Sequence, residues 1–319
     1  MRQYVKCMNN QDQPFKIHPN TSLAHLELTV SDMASMLAFY GGLMGFQLIE
    51  TQGGQARFSP TGRPPALVTL SERKDARAQA ERRVGLYHTA FRFSSRRPLA
   101  TTLMRLVAAK WPVQGAADHR VSEAIYLADP EGNGIEIYRD RPREQWPRLQ
   151  DSIQMGNLPL DLPKLLDEAD QAAAQAGAID PGTDLGHIHL QVSALPKADA
   201  FYHQLLGLDV MMSMTTAIFM SAGDYHHHLG ANTWHSLDAP RRDKDTLGLK
   251  SFAFLIPDEA NWLTLYQRIR SEGRTLQAIE TDGKLGIALE DDDGIGVELI
   301  TPEGKNVRSA LTNTNIGTR

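Results

Sequence analysis

Cysteine is nearly absent: Cys7 is the single thiol in a chain of 319 residues. One thiol excludes a disulfide within the chain and fits a reducing compartment. Positive charge is not in excess either, because 33 Lys and Arg stand against 38 Asp and Glu, a formal net charge of −5. No basic face for a phosphate backbone follows from that balance, which argues against nucleic acid as a partner. No apolar run approaches the roughly 18 residues of a membrane span. The opening MRQYVKCMNNQDQPFK has no apolar stretch of signal-peptide length. The expectation is a cytoplasmic protein with no membrane partner. At 41% hydrophobic and 22% charged the chain has an ordinary soluble composition, and its length suits about two domains.

Residues 1–21 read as a polar leader, loosely ordered to about Pro19. From Ser22 the pattern is strand, helix, then about three strands. His25, Glu27 and Thr29 alternate with Leu26, Leu28 and Val30, the period of a strand. Ser31 or Asp32 is placed to cap a helix whose Leu37, Tyr40, Leu43 and Met44 recur at helical spacing. The pattern returns 162 residues later, superposing His25 on His187, Leu28 on Leu190, Phe39-Tyr40 on Phe201-Tyr202, and Gly45 on Gly207. So many matches at one offset make an internal repeat. The second quarter repeats as well: GLYHTAFRF (Gly85–Phe93) answers GLKSFAFLI (Gly248–Ile256), and LADPEGNGIEIY (Leu127–Tyr138) answers LEDDDGIGVELI (Leu289–Ile300). Helical stretches at Arg97–Lys110 and Asn261–Glu272 fall between these pairs.

The chain is therefore expected to hold four strand-helix-strands modules. Modules one and two occupy 22–140 as a first domain, and modules three and four occupy 185–302 as a second. A linker, 141–184, carries one helix at Leu162–Ala176, where Ala and Leu favour helix. The remainder, 303–319, is expected to be a polar, frayed tail.

The first strands of the modules offer His25, His88, His187 and, in the fourth, only Ser251. The last strands offer Glu136 and Glu298, while module three has Tyr225-His226-His227-His228 near its last strand. An ionisable Glu between Ile135 and Ile137 points away from their face. It must reach solvent or enter a cavity where a cation compensates it. Tyr126, across the Asp129–Gly132 turn, belongs on the neighbouring strand. A lone strand histidine is more often packed than ligating. The coincidence of His88, Glu136 and His187 at corresponding module positions is what points to a metal. Two imidazoles and one carboxylate suit a divalent first-row ion, and leave open positions as in non-heme Fe(II) oxygenases.

These modules resemble the βαβββ units of the vicinal-oxygen-chelate superfamily, which includes glyoxalases, fosfomycin-resistance proteins and extradiol ring-cleavage dioxygenases. Ala117–Tyr138 resembles the extradiol signature through His119, Ile125-Tyr126, the Asp129-Pro130-Glu131-Gly132 turn and Glu136. With YHHHLGANTW at Tyr225–Trp234, the organisation from Ser22 to Pro302 is most similar to the catechol 2,3-dioxygenases of that family. The resemblance implies an α+β fold of two tandem glyoxalase-like domains with open, barrel-like sheets. It also implies a mononuclear Fe(II), with Mn(II) as the chemical alternative, and a catechol-type aromatic diol and O2 as substrates.

Glu136 and His88 are implied as ligands. The third is His25 if modules pair in chain order, and His187 if modules two and three pair. The second arrangement is favoured because the histidine run lies on module three. Module four has in addition lost its chemistry, with Ser251, Thr281 and Ala288 in place of the histidines and the tyrosine. One of His226, His227 and His228, foremost His227, is implied as acid–base residue. Alternation along a strand would put His226 and His228 on one face and His227 on the other. His119 and Tyr126 are expected to hydrogen-bond the substrate. Two other readings stand beside this one. The first is a glyoxalase-like isomerase or lyase, with a fourth ligand from the histidine run and Ni(II) or Zn(II). The second is a non-enzymatic small-molecule binder. A homo-oligomer is compatible with the sequence, which does not fix its size.

Overall fold

A computed structural model describes residues 14–312, apart from 79, 151 and 303. Four βαβββ modules are present, arranged in two eight-stranded sheets. In every module the first strand pairs in parallel with the last, and the helix makes the crossover that parallel pairing requires. The sheets are not divided as the chain is. Ser22–Val30 of module one lies antiparallel to Gly248–Leu255 of module four. Gly85–Arg92 of module two lies antiparallel to Asp184–Gln191 of module three. Each sheet is thus half from residues 22–140 and half from 184–302.

Alternation is what buries one face of these strands. Leu26, Leu28 and Val30 are inaccessible, and burying a side chain of this size contributes roughly 1.5–3 kcal/mol. Asp32 caps the first helix, its carboxylate accepting from Ser35 N, as the sequence suggests. That helix, Met33–Leu37, widens into a π-helical turn at Ala38–Leu43, and module three does the same at Asp199–Leu205. Both turns run out at a glycine, Gly45 at φ +84° and Gly207 at φ +83°, where left-handed backbone suits glycine.

Three expectations are corrected. The linker carries two helices, Leu162–Leu166 and Gln171–Ala176; Asp170 caps the second by accepting from Ala173 N and so breaks the run. In the expected tail residues 313–319 lie outside the described residues, and Lys305–Thr312 is a helix. Its Val307 and Leu311, one turn apart, are buried, and its Ala310 carbonyl accepts from Tyr266 Oη at 3.2 Å. Of the leader, residues 1–13 lie outside the described residues. The end of it is docked, with Ile17 buried and its amide donating to Gly207 O at 3.1 Å. Ile179, before module three, donates in the same way to Gly45 O at 2.9 Å. Among the described residues no helix is long and apolar enough to cross a membrane.

Candidate active site

The sheet made by modules two and three brings His88, Glu136 and His187 together. His88 comes from Gly85–Arg92, Glu136 from Gly134–Asp140 and His187 from Asp184–Gln191. The two latter strands flank the first, and Ala90 is opposite both Glu136 and His187. Close approach at the start of the glutamate strand depends on Gly134, because a Cβ there would lie 2.0 Å from the Tyr87 carbonyl oxygen. Ile135 and Ile137 face the core, so Glu136 is directed the other way and is only 3% exposed.

His88 Nε2 is 3.1 Å and His187 Nε2 is 3.2 Å from Glu136 Oε2, and the two imidazole nitrogens are 3.3 Å apart. Donors about 2.1 Å from one ion would be separated by about 3.0 Å at right angles and about 3.4 Å at tetrahedral angles. The observed spacing therefore fits three protein donors on a single divalent ion. Among the described residues this cluster has three His, Cys, Asp or Glu members, one short of the glyoxalase-like set of four. Protonation states agree with ligation. Burial raises the Glu136 carboxyl pKa, but His187 and His88 more than offset it and hold it well below the usual range. Burial pulls the His187 imidazole down to about 4 against the opposing pull of Glu136. A carboxylate and neutral imidazoles are the forms that bind metal. His187 Nδ1 is buried without a protein partner; its ring is held by packing between Tyr138 and His227, at 5.1 and 4.2 Å.

His25 is elsewhere. It lies in the other sheet with Nε2 3.0 Å from Glu298 Oε2, and Ser251 Oγ donates to the same carboxylate at 2.8 Å. This is the repeat of the His187, Glu136 and His88 arrangement, with serine in place of one imidazole.

A cavity of about 690 Å³ opens over the cluster, lined by His119, Tyr126, His226, His227 and His189 among others. Tyr126 is directly opposite Glu136 in the sheet register. His119 Nδ1 is 2.7 Å from Gly156 O, and its Nε2 is 2.6 Å from Tyr126 Oη. A carbonyl only accepts, so His119 carries its proton on Nδ1 in the neutral form and Tyr126 donates to Nε2. Burial, with the Glu136 charge beside it, raises the Tyr126 phenol well above its ordinary pKa, so it remains a hydroxyl.

The histidine run does not follow strand alternation, because residues 225–228 form the loop before Leu229–Asn232. His226 and His227 both reach the cavity. His228 does not line it; its Nδ1 accepts from Ala222 N at 3.2 Å and meets Ser221 Oγ at 2.9 Å. The expected role for His228 at the reacting centre is thereby corrected. Burial pulls His228 down to about 3 and His227 well below the usual imidazole value.

Two groups of lining residues escaped the sequence reading. His189 lies beside His88, ring centroids 4.9 Å apart, with Asn232 Nδ2 3.0 Å from its Nε2. Its signal was present, since residues two apart on a strand share a face. Met155, Gly156 and Asn157 come from the linker, and no local pattern marks a linker as part of a cavity wall.

The paired βαβββ sheets and the buried two-histidine, one-glutamate cluster define a class. The chain belongs to the Glyoxalase/Bleomycin resistance protein/Dioxygenase superfamily, whose family model matches residues 22–137 and 184–299. A catechol-2,3-dioxygenase of Bacillus subtilis (strain 168) is 36% identical over 268 residues, spanning 83% of this chain and 93% of that relative. A solved structure from Bacillus subtilis subsp. subtilis str. 168 has a TM-score of 0.61 at 15% identity, covering 92% of this chain and 86% of its own. Glyoxalase I from Zea mays has a TM-score of 0.51 at 13% identity, covering 88% and 92%. At these identities the two structures speak for the fold alone.

Proposed function

We propose that the protein is an extradiol ring-cleaving dioxygenase acting on a catechol-type aromatic diol. The observation that carries this reading is the convergence of His88, Glu136 and His187 beneath one cavity. Its support is the 36% identity to a catechol-2,3-dioxygenase over most of both chains. His88, Glu136 and His187 would hold Fe(II), with Mn(II) also acceptable to this donor set. When bound, that ion supplies the charge that stabilises a deprotonated diol and the one-electron chemistry that dioxygen requires.

The protein's own residues do the rest. Tyr126, whose proton is directed at His119, offers its oxygen lone pairs to a hydroxyl of the diol and orients it. His227 lies against His187 on the cavity wall and takes or returns a proton during the reaction, work typically worth about 10²–10⁴-fold in rate. Apolar walls, including Val121, Met155, Phe219 and Trp234, fit a flat aromatic ring and exclude water from it.

The test is to load the protein anaerobically with ferrous iron and offer catechol in air. The expected result is one dioxygen consumed per ring, with both oxygen atoms retained in an aldehyde-bearing, ring-opened acid. A dicarboxylic acid, from cleavage between the two hydroxyls, would overturn the reading, as would an absence of oxygen uptake.

A further inference from the structure

Behind His227 runs a line of side chains that the proposed reaction has not used. His226 Nδ1 lies 2.9 Å from His227 Nδ1, and His226 Nε2 lies 3.0 Å from Asp140 Oδ1. The other carboxylate oxygen, Asp140 Oδ2, accepts from Tyr225 Oη at 2.9 Å and from Arg92 Nη1 at 3.2 Å. The Tyr225 hydroxyl accepts in turn from Tyr138 Oη at 2.7 Å. Nothing in the sequence signature points to Asp140 or Arg92.

From this geometry we infer that Asp140, acting through His226, fixes the tautomer of His227 so that its Nε2 presents a bare lone pair to the cavity. The inference rests on the reading of His227 as the acid–base residue. A carboxylate can only accept, so His226 carries its proton on Nε2. A neutral His226 then has a bare Nδ1, and the short contact to His227 Nδ1 needs one proton, which His227 supplies. That leaves His227 Nε2 unprotonated. Among the described residues Nε2 of His227 has no hydrogen-bond partner, and the ring lines the cavity.

His226 is enclosed by aromatic rings and basic groups. It is 1% exposed and has the His187 and His227 rings 6.2 and 4.7 Å away. The guanidinium groups of Arg92 and Arg143 lie over the face of its neighbour Tyr225. Arg92 already offsets the Asp140 charge, although it is shared with the more exposed Asp184. An imidazolium placed here would be desolvated beside two cations.

Asp140→Asn tests the chain without changing its shape. Arg92 has no acceptor to offer, so the amide oxygen of the new side chain must take the place of Oδ2. Its NH2 group then faces His226 Nε2 and strips that nitrogen of its proton. The proton moves to His226 Nδ1, is donated to His227 Nδ1, and forces His227 to carry its own proton on Nε2. The cavity loses its base. Asp140 and His226 are thus positioning residues, and D140N is expected to lower kcat at least 100-fold, with KM and iron content within about twofold of the parent.

Tautomers are read directly from the ring-nitrogen shifts and couplings of 15N-histidine-labelled protein, metal-free and Zn(II)-substituted, assigned with H226Q and H227Q. The expected parent spectrum has a protonated Nδ1 and a bare Nε2 at His227, reversed in D140N. The inference is overturned if parent His227 carries its proton on Nε2, or if His226 is protonated on both nitrogens. It is equally overturned if D140N reverses the tautomers yet keeps its kcat. If the tautomers are as assigned and the iron-loaded parent cleaves no catechol, the proposed function fails and the tautomer assignment stands.

Discussion

Replacing His187 with alanine separates the two possible pairings of a first-strand histidine with Glu136. The donor lost is 3.2 Å from Glu136 Oε2 and 3.3 Å from His88 Nε2, so two protein donors remain. Structural metal sites with four donors bind with roughly 10–16 kcal/mol, or about 3–4 kcal/mol per donor. At about 1.4 kcal/mol per tenfold, affinity for ferrous iron should fall by two to three orders of magnitude. His25→Ala removes the partner of Glu298, which keeps its bond from Ser251, and should leave iron binding unchanged. The assay is anaerobic titration with ferrous iron against a chromophoric chelator, with iron per chain measured after gel filtration. Iron lost in H25A and retained at parental affinity in H187A would refute the reasoning.

Further outcomes follow from the same geometry. Tyr126→Phe removes the hydroxyl that would orient the diol and should lower kcat/KM by roughly 5- to 100-fold, equivalent to about 1–3 kcal/mol, with iron content unchanged in elemental analysis. His228→Ala takes the acceptor from Ala222 N and a partner from Ser221 Oγ. It should cost about 1–3 kcal/mol in denaturant unfolding and leave kcat alone, which steady-state kinetics will check. Asp129 is raised to about 6, chiefly by burial, against hydrogen bonds from Asn133, Glu131 and Tyr40. A raised carboxyl binds its proton more tightly when folded, so its stabilisation is complete below about pH 4 and is lost as pH rises through about 6. Asp129→Asn should therefore flatten the stability profile of the metal-free protein between pH 4 and 6. The difference should amount to roughly 2–3 kcal/mol, read by urea unfolding at stepped pH; an unchanged slope would count against it.

Much of this architecture was legible because repetition made weak local signals add. A single strand with His25 or His187 says little, but the same strand, helix and Gly45 or Gly207 recurring at one offset define a module. Glu136 was legible for a different reason: a carboxylate between two core isoleucines must reach solvent or a cavity where a cation compensates it. The loop at 225–228 was misread because three consecutive histidines suggest alternation, and nothing local reveals that the chain leaves the sheet there. Asp140 follows Glu136 on the same strand face, yet its part depends on Arg92 from the neighbouring strand and on Tyr225, which reaches it from module three. The helix at Lys305–Thr312 was overlooked because its apolar content is only the Val307 and Leu311 turn plus Ala310, too little to stand out from a polar terminus.

The reciprocal docking of Ile17 on Gly207 and of Ile179 on Gly45 has a consequence for how the chain can be divided. Each half sends its leading segment across to the other half, and each central seam joins one strand from either side of the linker. The protein is in this sense a swapped pair of halves held on one thread. Cut within 141–184, neither fragment owns a whole sheet, and each would leave the edge of a first strand unpaired and open to aggregation. Mixed together, the fragments can complete both sheets only by binding each other. Recovery of tight iron binding would report that union, since one fragment brings His88 and Glu136 and the other brings His187.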